Sequence, residues 1–351
     1  MEALLKQWDG EEVIIRYDKP SDAWIIIAIH NTRLGTATGG TRMKSYSDLK
    51  AAVQDALKLA EGMSFKYAVA NFPRGGGKAV IHVPDDFDKQ QRPELLRRYG
   101  SLVCQLGGFF ETGPDVGTSP DDMDIIAETG DPYVFCRTPA RGGAGDSGPA
   151  TAFGVYNGIL AVCEHLFDQV SLEKKRILVQ GAGSVGGPLI DLLIEAGAEV
   201  MFSDIDDQTV RLLRDKKGLT FIHPDKIFDT PCDIFAPCAL GGILNKDSIP
   251  RLKCLAVAGG ANNQLAEPAD AERLWGRQIL YAPDYAINIG GAMAIIGIET
   301  MGWSRQEADK NVSSVKQTVA QIFETAKAEG INTDAAARQI ARKRLFENHD
   351  E

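Results

Sequence analysis

One segment limits the possible folds more than any other. Arg176-Ile-Leu-Val-Gln180 is an apolar run of strand length that ends in Gly181-Ala-Gly183-Ser-Val-Gly186, and helical spacing continues from Gly183 to about Gly197. A second strand pattern, Glu199-Val-Met-Phe-Ser203, then closes on Asp204. The first glycine of such a turn permits the tight bend, the second lets backbone approach a pyrophosphate, and the third lets helix pack on strand. The helix start presents N–H groups and partial positive charge to phosphate. Ser184 and Val185 complete the turn, so Gly181, Gly183, Ser184, Val185 and Gly186 are the candidate phosphate cradle. Asp204 can accept from both ribose hydroxyls and would repel a 2′-phosphate, and no arginine immediately follows it, which predicts NAD rather than NADP. An ordinary glycine turn in a non-binding domain is the alternative. Strand, helix and acid standing in register argue against it.

The 351 residues suit two domains rather than one core. The predicted class is α/β: an N-terminal α/β substrate and oligomerisation domain over 1–145, a Rossmann-type doubly wound NAD domain over 146–330, a cleft between them, and a C-terminal helix over 331–351 returning to the first domain. In the first domain, Trp24–His30 and Lys78–Val83 read as strands, the latter opening on a Gly75-Gly-Gly77 turn. Asp48 caps a helix with apolar residues from Leu49 to Met63, a second helix covers Leu95–Leu106, and Ser119-Pro-Asp-Asp122 starts a third. Arg141–Gly148 reads as a hinge, followed by a helix over about 150–167. Later strand patterns at 233–235, 254–258 and 279–281 continue the alternation of a parallel sheet. Ser304 and Glu307 form a capping box for a stretch that ends at Gly330.

Net charge is −10 without a basic block, which excludes nucleic acid as a natural partner. Six cysteines without a CxxC pair read as reduced core thiols of a cytoplasmic protein. The N-terminus lacks an apolar signal region, no run reaches membrane-spanning length, and the five histidines, most of them read as surface or helix-end residues, lack metal-ligand spacing, so no metal is expected.

Two lysines stand out, in Gly62-Met-Ser-Phe-Lys66 and Gly75-Gly-Gly-Lys78. Taken singly, each reads as a surface charge, although glycine turns and apolar runs are unusual company for one. Asp115 sits in the Gly/Pro-bounded loop Thr112-Gly-Pro-Asp-Val-Gly117, where a turn-forming role is equally natural. With these segments in view, the chain resembles the Glu/Leu/Phe/Val amino-acid dehydrogenases. Further matches are Gly39-Gly-Thr-Arg-Met43, Phe235-Ala-Pro-Cys-Ala-Leu-Gly-Gly242, Ala258-Gly-Gly-Ala-Asn-Asn-Gln264, Tyr281-Ala-Pro-Asp-Tyr285 and Asn288-Ile-Gly-Gly291. They run in order along nearly the whole chain.

The resemblance implies NAD-dependent, reversible oxidative deamination of a hydrophobic L-amino acid to its 2-oxo acid and ammonia. It makes Lys66 and Asn262 the carboxylate anchors, Lys78 the general base acting through water, and Asp115 the group that handles the amino-group proton. Thr151 would bond the nicotinamide amide, and Ala239 and Asn263 would line the cofactor. Two nearby lysines should lower one pKa toward neutrality, as a base requires. A homo-oligomer built from dimers is expected, the apolar N-terminal strand pairing across a symmetry axis.

By the same resemblance, Gly39, Gly40, Met63, Pro114, Ala292 and Ile295 line the side-chain pocket, and none carries a charge to recognise glutamate. Leucine-type members tend to have Ala where Pro114 stands and Val where Ala292 stands. Phenylalanine is therefore the expected substrate, then other aromatic residues including tryptophan, with leucine or valine as runner-up. Gly260 and Ile289 depart from the family's usual Ala. A non-catalytic NAD sensor should have lost Lys66, Lys78 or Asp115; an amine dehydrogenase should lack Lys66 and Asn262; a hydroxy-acid dehydrogenase should show a histidine base.

Overall fold

The computed structural model describes residues 2–347. The chain packs into two units: residues up to Gly145 with Ile295–Ser304 and the segment from Ala341 onward, and Asp146–Ala294 with Arg305–Ile340.

In the first unit, α1 (Glu2–Gln7), β1 (Glu12–Asp18), β2 (Ala23–Asn31), β3 (Ala37–Lys44), α2 (Leu49–Val69), β4 (Gly75–His82), α3 (Arg92–Gln105), β5 (Phe110–Pro114) and α4 (Pro120–Gly130) follow in order. The sheet order is β1-β2-β4-β3-β5. β2 is antiparallel to β1 and β4, whereas β3 runs parallel to β4 and β5. Helix α2 begins where Asp48 accepts from Ala51 N at 2.7 Å. Its Ala52, Val53, Ala56, Leu57 and Ala60 bury one stripe against Ile26, Ala28 and Val80. The opposite sheet face packs Ile25, Ile27, Ile29, Ala79 and Ile81 on α3 and α4. Side chains alternate along a strand, so β2 must be apolar on both faces. It is buried at Ile25, Ile26, Ile27 and Ile29 alike.

Three expectations change here. β4 starts at Gly75, so the triple glycine is strand, not turn. It is paired with Ala37 and Thr38, and a Cβ at Gly76 would stand 2.1 Å from Ser64 N. Only glycine lets α2 and β4 meet this closely. The apolar strand β2 is paired on both sides and cannot pair across a symmetry axis; the outer edge belongs to β1. His30 and Cys104 also trade places: the histidine is buried against Ser64 Oγ at 2.8 Å, and the cysteine is exposed.

The second unit runs α5 (Gly148–Phe167), β6 (Arg176–Gln180), α6 (Gly186–Glu195), β7 (Glu199–Ser203), α7 (Asp207–Arg211), β8 (Thr220–Phe221), β9 (Ile234–Pro237), β10 (Ala256–Val257), α8 (Ala269–Gly276), β11 (Leu280–Tyr281), α9 (Asp284–Ile287), α10 (Gly290–Thr300), α11 (Arg305–Ser313), α12 (Val315–Glu329) and α13 (Thr333–Arg342). Its sheet is parallel, in the order β11-β10-β9-β6-β7-β8. Counted from β6, that is the 3-2-1-4-5-6 order of a doubly wound dinucleotide fold. The switch in winding falls between β6 and β9, where a ligand crevice is expected.

The sequence reading puts 295–304 with the second domain and starts the C-terminal return at 331. Ile295–Ser304 instead packs in the first unit, where Arg74 Nη2 donates to Thr300 Oγ1 at 2.6 Å and Ala144 N donates to Glu299 Oε1 at 2.8 Å. The return begins at Ala341. Arg344 fixes it, donating to Ala68 O at 2.8 Å and Val69 O at 2.7 Å at the C-terminal end of α2. Among the described residues, no helix is long and apolar enough to cross a membrane.

Candidate active site

The first unit brings Lys78, Asp115, Gly39, Gly40, Met63 and Pro114 together. Lys78 lies on β4 between Gly76 and Val80, so by strand alternation its side chain leaves the sheet on the α2 side. It is only 5% exposed. Its Nζ lies 3.2 Å from Asp115 Oδ1. The other carboxylate oxygen, Oδ2, accepts from Arg42 Nε at 2.6 Å. Arg42 Nη1 also reaches Asp55 Oδ2 at 3.0 Å, and that oxygen accepts from Tyr46 Oη at 2.6 Å. The Asp115 loop is tied to β3, since Met43 N donates to Val116 O at 2.9 Å and Thr118 Oγ1 donates to Thr41 O at 2.7 Å.

The glycines make the floor. A Cβ at Gly39 would fall 1.8 Å from Gly77 O and 3.4 Å from Met63 Cγ; one at Gly40 would fall 2.5 Å from Pro114 O and 3.0 Å from Asp115 Cβ. Met63 and Lys66 stand one helical turn apart on α2 and share a face.

Burial pushes the Lys78 amine below its ordinary value; Asp115 opposes that, and Arg42 adds to it. Burial would raise the Asp115 carboxyl, but Lys78 and Arg42 outweigh it and hold the group below its ordinary value. The sequence argument credited a second lysine with lowering Lys78. Here burial leads, and the Arg42 guanidinium pushes the same way. Arg42, Asp55 and Tyr46 carried no assigned role in the sequence. The signal available was position: Arg42 lies inside the matched Gly39–Met43 segment.

The second unit holds Thr151, the Gly181–Gly186 turn, Asp204, Ala239, Asn262, Asn263 and Ala292. Gly181 has φ +88°, and a Cβ there would stand 2.6 Å from Ala239 Cβ. A Cβ at Gly186 would fall 1.8 Å from Gly181 O, so α6 touches the turn and starts three residues later than its sequence pattern suggests. At Gly183 nothing lies within 4 Å of a Cβ, which leaves backbone facing open space, as an approaching phosphate needs. Ser184 and Val185 complete the turn. Val185 Cγ1 would be 2.6 Å from a Cβ at Gly260, so the glycine at that position makes room for the valine.

Asp204 Oδ2 accepts from Ala182 N at 2.7 Å, and Oδ1 accepts from Asp206 N at 2.9 Å. An ionised carboxylate has about four acceptor positions, so capacity remains for two ribose hydroxyls. The open glycine, the close helix start and the anchored acid together fit a dinucleotide.

Asn263 takes φ 52°, and its carbonyl accepts from Gly242 N at 2.7 Å. Asn288 Nδ2 donates to Asn262 Oδ1 at 2.7 Å and to Gly260 O at 3.3 Å. The carbonyl can only accept, which fixes the Asn288 amide. That in turn engages the Asn262 oxygen and fixes which end of the Asn262 amide carries the NH2 group. Asn288 lies in a matched segment, Asn288–Gly291, with no role assigned from the sequence. Thr151 Oγ1 donates to Ser147 O at 2.9 Å and would lie 2.3 Å from a Cβ at Gly291. On α10, Ala292 is half-buried, and Ile295 is buried within the first unit's segment.

A chain with this turn on a doubly wound sheet in one unit and a buried lysine–aspartate pair in the other has the parts of a dinucleotide-dependent oxidoreductase. The sequence profile of the Glu/Leu/Phe/Val dehydrogenase dimerisation domain matches residues 21–131, and that of Glutamate/Leucine/Phenylalanine/Valine dehydrogenase matches 201–351. The chain is 42% identical over 341 residues to leucine dehydrogenase of Thermoactinomyces intermedius, covering 97% of this chain and 92% of that one. It is 41% identical over 350 residues to valine dehydrogenase of Streptomyces coelicolor, covering 97% and 93%. The crystal structure of L-tryptophan dehydrogenase from Nostoc punctiforme superposes with a TM-score of 0.89 at 38% identity, covering 98% of each chain. The chain therefore belongs to the Glu/Leu/Phe/Val dehydrogenase family. It is an amino-acid dehydrogenase, and the cofactor of this class is NAD.

Proposed function

We propose that the protein oxidatively deaminates a hydrophobic L-amino acid, with an aromatic side chain preferred, and runs the reverse amination. Amino acid, NAD+ and water give 2-oxo acid, ammonium, NADH and a proton. The observation that carries this reading is the buried Lys78 held 3.2 Å from Asp115.

Lys66 and the Asn262 amide bind the substrate carboxylate. Gly181, Gly183, Ser184, Val185, Gly186, Asp204, Ala239, Asn263 and Thr151 hold the cofactor. Bound NAD supplies the acceptor for the hydride that leaves Cα. Lys78, uncharged, takes the proton of the water that adds to the imine carbon. Asp115 moves a proton to and from the nitrogen as the carbinolamine forms and collapses. General acid–base groups of this kind contribute on the order of 100-fold or more.

The aromatic preference rests on small residues at the pocket positions Gly39, Gly40 and Ala292 and on the likeness to a tryptophan dehydrogenase. Leucine and valine dehydrogenases among the relatives favour a branched-chain substrate as the second reading. Initial rates of NAD reduction with phenylalanine, tryptophan, leucine and valine decide between them. Higher kcat/KM for an aromatic substrate is expected. A tenfold or greater preference for leucine, within the range one pocket can generate, would overturn the preference and leave the chemistry intact.

Assembly follows the same logic. We place a dimer contact at the open edge of β1, where Ile15 and Tyr17 are 37% and 45% exposed, in a homo-oligomer built from dimers. Six cysteines without a CxxC pair agree with a cytoplasmic protein.

A further inference from the structure

The Lys78–Asp115 pair poses a physical problem. A buried ammonium facing a lone carboxylate is held in its charged form, because the carboxylate favours the proton on nitrogen. Burial of Lys78 favours the neutral amine, and the carboxylate works against it. The third member of the cluster resolves the conflict. Arg42 is on β3, beside the strand that carries Lys78, and its Nε lies 2.6 Å from Asp115 Oδ2, the oxygen that Lys78 does not use. A guanidinium keeps its charge at any working pH. When Lys78 gives up its proton, Asp115 still has a cation against it.

We propose that Arg42 is a positioning residue of the reaction: its guanidinium fixes Asp115 and supplies the permanent positive charge that allows Lys78 to be neutral beside an ionised carboxylate. This rests on the reading of Lys78 as base.

The groups facing Lys78 can be named from each neighbouring element. β3 contributes Arg42, the loop after β5 contributes Asp115, and α2 contributes Asp55 and carries Lys66. Asp55 has the opposite sign to Arg42 and works against release of the proton, while Arg42 favours it. Arg42 joins the two acids, since its Nη1 reaches Asp55 Oδ2 at 3.0 Å, and Tyr46 Oη donates to the same oxygen at 2.6 Å. The guanidinium is thus aimed from two sides, as its fork geometry allows.

The sign follows directly. Removing the guanidinium charge raises the Lys78 value, and the acid limb of kcat/KM against pH moves up. Removing the Asp55 charge moves it down. The test is that profile for the parent, Arg42→Gln, Arg42→Met, Arg42→Lys and Asp55→Asn, with Lys78→Ala alongside and NAD binding by fluorescence titration as a check on folding. Neutral replacements of Arg42 should displace the acid limb upward by on the order of one pH unit. Their rate should recover at high pH. Arg42→Lys should restore much of the parent profile, and Asp55→Asn should shift the limb the other way. A merely structural arginine gives a uniform loss at every pH, with the limb in place; that result, or a lysine variant no better than glutamine, overturns the proposal. If no Arg42 variant binds NAD, the Asp55→Asn profile decides, and an upward or absent shift counts against it. Full activity in Lys78→Ala would instead remove the base assignment itself. Loss of activity there with unmoved Arg42 profiles would remove only the role given to Arg42.

Discussion

Gly183 and Gly186 carry similar sequence signals but play different physical parts. At Gly186 an added Cβ would meet the Gly181 carbonyl at 1.8 Å, and neither backbone can yield without opening the turn. At Gly183 the same atom meets nothing within 4 Å. Gly186→Ala should therefore destabilise the fold, by about 1–3 kcal/mol as overpacking does, and weaken NAD binding with it. Gly183→Ala should leave Tm near that of the parent and still weaken NAD binding, because its methyl occupies the space a phosphate needs. Thermal melts and NAD titration of the two variants separate these effects. Parent-like NAD affinity in Gly183→Ala would show that this backbone does not face the phosphates. The same scale shows what a sequence hides. Asp115, Lys78 and Arg42 all lie in matched segments, but the pairing of Arg42 with Asp115 Oδ2 is not written there, because the two are distant in sequence and meet only when β3 lies beside β5.

Elements were legible where the signal is local. The Asp48 cap of α2 and the Ser119 capping box of α4 are written in adjacent residues, and both form. β3 was not legible: Ala37-Thr-Gly-Gly-Thr-Arg-Met-Lys44 has paired glycines and no apolar run. It is a strand because β4 and β5 pair with it on either side, a tertiary cause that no window of sequence contains. β10 and β11 are two residues each and fall inside the strand patterns read at 254–258 and 279–281. β1 differs again. It pairs with β2 on one side only, and an open strand edge with exposed apolar side chains tends to pair with another chain. Ile15→Lys should place like charges across a symmetric contact and lower the particle mass measured by light scattering at fixed concentration. An unchanged mass would move the dimer contact off this edge.

At the scale of the molecule, the two-unit plan follows from chain length and from the change in pattern near the glycine-rich segment ending at Gly148. The excursion of Ile295–Ser304 into the first unit does not. That segment makes the polar contacts Arg74 to Thr300 and Ala144 to Glu299, which leave no periodic trace. The division also sorts the chemistry. The first unit holds the Lys78–Asp115 pair proposed to transfer protons, and the second holds the turn and acid that fit NAD. The central claim is that a buried, uncharged lysine on β4 does the base chemistry of an amino-acid dehydrogenase. The most direct test compares initial rates of amino-acid-dependent NAD reduction in the parent and in Lys78→Ala, each saturated with NAD. The account predicts a loss of at least about 100-fold in kcat with NAD affinity retained; turnover equal to that of the parent would contradict it.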